Sequence, residues 1–140
     1  MWLGDERANM SENSYWLGRE PIHEEVNRVQ VPEMVVEAGI AVTDAMLFWA
    51  FDTEQDAVVI SQGSNEFEDD RFNYRGNSKL RDPRVAAVPQ GVMDEHPDFS
   101  SGEKLHFVTT DYYLEKNACM VLPDEVARDR FGTLFQGDED

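Results

Sequence analysis

From about residue 24 onward, apolar and polar positions fall into short regular blocks. Val26, Arg28 and Gln30 alternate with Asn27, Val29 and Val31, and Pro32 closes the run, which predicts a short strand. Proline suits the first turn of a helix, where its missing N–H has no partner in any case, and acidic side chains there meet the positive end of the helix dipole. Glu33 to Ala38 is therefore expected as a helix of one or two turns, ended by Gly39. A turn over 41–45 leads into the apolar run Met46 to Phe51, a second turn covers 52–56, and a further strand covers 57–61. Residues 62–83 are polar, hold Gly63, Gly76 and Pro83, and are expected as a linker.

The same order then returns. Arg84 to Val88 and Pro89 repeat the strand and its proline, 90–96 repeats the short helix, and 99–107 repeats 40–48 position for position. Asp111 matches Asp52, and Ala118 to Leu122 matches 57–60 after a longer turn, so an internal duplication is expected. Before the first copy, Trp2-Leu3-Gly4 is echoed by Trp16-Leu17-Gly18 in a stretch that reads as an arm packed on the body or on a partner. Met10 offers an alternative start. After the second copy, 124–135 predicts a short amphipathic helix using Val126, Phe131 and Leu134. The expected division is an arm (1–22), a first module (23–61), a basic and aromatic linker (62–83), a second module (84–123), and a short helix with an acidic tail (124–140). The fold class is mainly β with short helices (α+β).

Composition changes the picture chiefly through charge. The 140 residues are enough for one compact domain, or two small ones that share a core. The single cysteine, Cys119, lies in an apolar stretch and reads as a buried thiol of a reducing compartment. Asp and Glu number 29 against 12 Lys and Arg, a formal charge of −17. Self-repulsion on that scale opposes a compact fold in dilute salt, but at molar salt the screening length falls to about 3 Å. A halophilic source, an archaeon or its virus, is the reading this favours. No apolar run approaches the roughly 18 to 20 residues that span a bilayer, and the start lacks the layout of a secretory signal. The expected location is the cytoplasm, or a virion assembled there.

Candidate chemistry is concentrated in one segment. Arg71, Arg75, Lys79, Arg81 and Arg84 lie within fourteen residues opposed only by Asp82, giving +4 there and −21 for the remainder. Such segregation fits phosphate neutralisation, with Phe72 and Tyr74 placed to stack or pack; it also fits pairing with acids of the same or a neighbouring chain. Partner contacts are expected at Trp2, Trp16, Phe72 and Tyr74. His23, His96 and His106 stand in separate elements without a second ligand at metal spacing, and His106 projects opposite Leu105 and Phe107. Phosphate loops, nucleophile elbows and Cys-His pairs are lacking, so no enzyme activity, cofactor, metal or small-molecule substrate is expected. In Phe48, Trp49 and Phe51, one face is expected in the core and the other at a subunit contact.

The two copies together resemble the swapped-hairpin domain of the AbrB, MazE and SpoVT family of DNA-binding regulators. The first copy carries the resemblance in Arg28-Val-Gln-Val-Pro32, Gly39-Ile40, Asp44, Met46 to Phe51, Asp52 and Val58 to Ile60. The second carries it in Arg84, Val88-Pro89, Phe99, Gly102-Glu103, Leu105, Phe107, Asp111 and Met120 to Leu122. The resemblance covers about 75 of the 140 residues. It implies two swapped-hairpin modules paired within one chain as a pseudo-dimer barrel, and a non-enzymatic, AbrB-like transcriptional regulator. Where family members carry basic residues on the short helix, this chain has Val35-Val36-Glu37 and Met93-Asp94-Glu95. DNA contact is then expected from Arg28, Arg71, Arg75, Lys79, Arg81 and Arg84. The rival expectation is an assembly protein of a halophilic virus particle, a capsid decoration or head-to-tail connector that binds neighbouring subunits.

Overall fold

The computed structural model describes residues 14–23, 28–63, 70–95 and 104–131. In chain order the elements are β1 (Ser14–His23), β2 (Arg28–Gln30), α1 (Glu33–Glu37), β3 (Met46–Asp52), β4 (Ala57–Ser61), β5 (Phe72–Lys79), β6 (Val85–Ala87), α2 (Gln90–Glu95), β7 (Lys104–Thr110), α3 (Asp111–Glu115), β8 (Ala118–Pro123) and α4 (Asp124–Phe131). The protein is mainly β with short helices. Its strands form one sheet in the order β5-β3-β4-β8-β7-β1-β2-β6, antiparallel at every pairing.

Two segments differ from expectation. Residues 14–22, read as arm, fall in β1 along β7, and residues 72–79, read as linker, form β5 along β3. β5 is polar because it is an edge strand with most side chains in or near solvent, so it lacks the apolar alternation that marks a half-buried strand. Its ladder to β3 defines it instead. Among the described residues no closed barrel is found: past the end of β5, Arg81 meets Val85 of β6, at the other end of the strand order, through an isolated bridge rather than along a ladder.

Strand pairing crosses between the two halves of the chain. The series β1-β2-α1-β3-β4 is followed by β5-β6-α2-β7-α3-β8, and the first strand of each series pairs with β7 or β3 of the other. Both pairings carry a bulge, between Trp16 and Gly18 in one and opposite Trp49/Ala50 in the other. Gly18 and Gly76 sit at φ +131° and +136°, and a Cβ built on them would lie 3.0 Å from Pro32 and 2.8 Å from Pro89 respectively. The positive φ and the close proline both require glycine. β2 pairs with β6 about Val29 and Ala86, and β4 with β8.

The sheet has apolar side chains on both faces at its centre. Leu47, Trp49, Val58, Ile60, Leu105, Phe107, Cys119 and Val121 join Val35 of α1 and Val92 of α2 in one core. The alternate residues Ala50, Val59, Val108, Met120 and Leu122 join Tyr113 of α3 and Ala127 of α4 in the other. This explains why β4 and β8 read as continuous apolar runs. Trp49 is fully buried with its indole N–H donated to Ser78 Oγ at 3.2 Å, and Phe48 packs half-buried on the opposite core. The second face of the β3 run is thus covered in part by this chain's own α3 and α4. Cys119 is buried, and burial pushes its thiol well above the usual range.

Candidate nucleic-acid interface

The sheet's edge meets its short strands at a cleft of about 450 Å³, lined by Arg28, Ser78, Lys79, Arg81, Asp82, Pro83, Val85 and Ala87. Local chain geometry builds it. β5 carries Ser78 and Lys79 to the edge, and Leu80, fully buried, anchors the strand end through Leu80 N–H to Ala45 O at 3.0 Å and Asp44 N–H to Leu80 O at 2.6 Å. Arg81 and Val85 then exchange backbone hydrogen bonds of 2.8 and 2.7 Å across a three-residue loop. Arg84, the third loop residue, takes φ +67°, the left-handed position with which such loops commonly end. Its Nε donates to Val31 O at 2.9 Å, and Gln30 Nε2 donates to Pro83 O at 2.9 Å, so the loop is tied to β2.

Three cations, Arg28, Lys79 and Arg81, therefore face one cleft with a single carboxylate, Asp82, among the lining residues. Their side chains are exposed and make no ion pair with any described residue. In a chain of formal charge −17 that is a pronounced local inversion of sign. Pro83, Val85 and Ala87 supply an apolar wall.

The other basic candidates lie elsewhere. Arg71 forms a two-pronged pair with Asp52, Nε to Oδ1 and Nη2 to Oδ2 both at 2.8 Å, and reaches Glu54 at 3.3 Å. Its guanidinium also lies 4.4 Å from the Tyr112 ring centroid. Asp52 is fully buried and accepts from the Tyr113 hydroxyl and from Glu54 N–H at 2.9 Å. Burial alone raises the Asp52 carboxyl, but the hydrogen bonds from Arg71 and Tyr113 outweigh it and hold the group below its usual range. Burial and the same carboxylate together push the Tyr113 hydroxyl well up. Arg75 pairs with Glu95 of α2 at 2.7 Å and stacks over Phe51. Of the six residues expected at DNA, three line the cleft, Arg84 stands in its loop, and Arg71 and Arg75 serve acids of the same chain.

The expected partner contacts also divide. Phe72 is buried in the core, Trp16 is half-buried, Tyr74 is half-exposed on β5, and Trp2 lies outside the described residues. His96 lies outside them as well.

Sequence reasoning missed the surroundings of His106. The ring is fully buried; Nδ1 accepts from Trp16 Nε1 at 3.2 Å, which leaves the proton on Nε2, 2.6 Å from Asp124 Oδ1. Asp124 also accepts from Arg128 Nε at 3.0 Å. Burial, with Arg19 and Arg128 nearby, lowers the imidazole's pKa despite the attraction of Asp124. The signal available in the sequence was the apolar company of His106; its partners, 90 and 18 residues away, were not visible.

Among the described residues, no group of three His, Cys, Asp or Glu is placed to hold a metal ion, and no helix is long and apolar enough to cross a membrane. Comparison with known proteins gives no match to any family model, curated protein or solved structure.

Proposed function

We propose that this chain is a non-enzymatic, DNA-binding regulator of the swapped-hairpin kind, with its two halves as copies of one module paired inside a single chain. The cleft of Arg28, Lys79 and Arg81 carries this reading: three cations without ion-pair partners among the described residues, gathered from two strands and a loop of a strongly acidic chain. Electrostatic attraction to phosphates accounts for such a gathering, since each neutralised phosphate releases condensed counterions. Support for the duplicated module comes from the crossed pairing of β1 with β7 and β5 with β3, and from the matching Gly18–Pro32 and Gly76–Pro89 contacts.

A capsid-decorating or connector role is the second reading. The observation that favours it is the engagement of Arg71 and Arg75 by acids of the same chain, which leaves a smaller basic surface than the sequence suggests. The exposed Tyr74 on edge strand β5 would then serve a neighbouring subunit.

The test is selection of the full chain against a random genomic DNA library, at a salt concentration where circular dichroism shows it folded. Enrichment of a short sequence, lost when Arg28, Lys79 and Arg81 are all changed to Ala, is the expected result. No enrichment by a folded chain refutes the regulator and favours the assembly role.

A further inference from the structure

The basic cleft combines Arg28 of the first half of the chain with Lys79 and Arg81 of the second. Strand register relates the halves position by position: His23 pairs with Arg28 where β1 meets β2, and Arg81 bridges to Val85 where β5 meets β6. His23 therefore corresponds to Arg81, and Arg28 to Val85. Counting forward along β1 and β5 from the bulge glycines Gly18 and Gly76 sets Glu20 against Ser78 and Pro21 against Lys79. The β2–β6 ladder agrees, because Arg28 opposite Ala87 becomes Gln30 opposite Val85 when the halves are exchanged about Val29 and Ala86.

No cleft cation thus has a Lys or Arg at its matching position. Val85, Pro21 and His23 stand where Arg28, Lys79 and Arg81 stand in the other half, and a glutamate replaces the serine. The backbone arrangement is close to two-fold, but the charge on it is one-sided.

This matters for the geometry of a complex. Protein two-fold symmetry is mirrored in operator palindromes, because equal contacts are made to two half-sites related by a dyad. A two-fold scaffold with one basic cleft makes its phosphate contacts once. Three cations serve about three phosphates, so the expected slope of log K against log salt is about −2.7.

We propose that a single chain grips a duplex asymmetrically, clustering its phosphate contacts on one strand of a target that has no dyad. The proposal rests on the DNA-binding reading above and adds to it the symmetry and stoichiometry of the partner.

The experiment uses the full chain and an end-labelled duplex carrying the sequence enriched in the selection. Phosphate ethylation interference is read on each strand separately, and native mass spectrometry gives the stoichiometry. One cluster of interfering phosphates on one strand, with one chain per duplex, supports the proposal. The Arg28→Ala, Lys79→Ala, Arg81→Ala variant should lose that cluster; these side chains are exposed, and circular dichroism checks that the fold is kept. Two clusters related by a dyad, or two chains on one site, overturn the asymmetric grip while leaving DNA binding standing. A folded chain that enriches and binds no duplex overturns both.

Discussion

Arg71 and Arg81 lie ten residues apart in one basic segment, yet their removal should have opposite consequences. Arg71 closes a pair whose carboxylate, Asp52, is fully buried, and its own side chain is only 16% exposed. Arg71→Ala leaves that carboxylate with the Tyr113 hydroxyl and backbone N–H groups but no positive charge. Breaking a buried pair from one side costs about 3–5 kcal/mol. The lost stacking of the guanidinium on Tyr112 adds about 0.5–1 kcal/mol. Chemical denaturation at neutral pH should therefore show a loss of about 3.5–6 kcal/mol and, on the proposed DNA-binding reading, the slope of affinity against salt should be unchanged. The acid sensitivity should also weaken. In the native chain the folded Asp52 pKa lies below 3.8, so its contribution is present above that value and is lost as pH falls through the folded pKa. Without Arg71, burial is opposed only by the Tyr113 and backbone hydrogen bonds, so the folded pKa moves up and less stability is left to lose on acidification. Arg81→Ala should leave stability within about 0.5 kcal/mol, as surface changes usually do, and, on the proposed DNA-binding reading, shallow the salt slope by about 0.9. If Arg71→Ala costs under about 1 kcal/mol, the level of an exposed pair, and shallows the salt slope as Arg81→Ala does, the division between structural and binding arginines is wrong.

His106 and the glycines supply the remaining predictions. The folded His106 pKa is depressed below 6.5, so the unfolded chain binds the extra proton more readily, and this site's contribution to stability should fall as pH drops below 6.5. His106→Asn should flatten that part of the profile in thermal melts; an unchanged profile would show that another group sets it. Gly91 packs against β5 so closely that a Cβ would lie 2.4 Å from the Arg75 carbonyl oxygen, whereas a Cβ on Gly39 would meet nothing within 4 Å. Gly91→Ala should therefore cost about 1–3 kcal/mol from overpacking. Gly39→Ala should cost only about 1 kcal/mol, from its φ of +81°. Equal denaturation midpoints for the two variants would contradict the close helix–strand packing.

Local order along the chain was legible because it depends on neighbours in sequence. The alternation before Pro32, the acidic helix start, Gly39 at the helix end and the apolar runs 46–51 and 57–61 each appear as β2, α1, β3 and β4. β1 and β5 were not legible, because the first has a bulged register and the second is a polar edge; pairing with β7 and β3 makes them strands. Of the candidate site, the sequence determined that cations cluster in 71–84, and nothing more about their use. Tertiary structure alone decided that Asp52 takes Arg71, that Glu95 takes Arg75, and that Arg28 joins Lys79 and Arg81 across a gap of fifty residues. The physical reason is range. Secondary structure follows from dihedral preferences and apolar spacing within a few residues, whereas an ion pair forms only between groups that folding brings within a few ångströms.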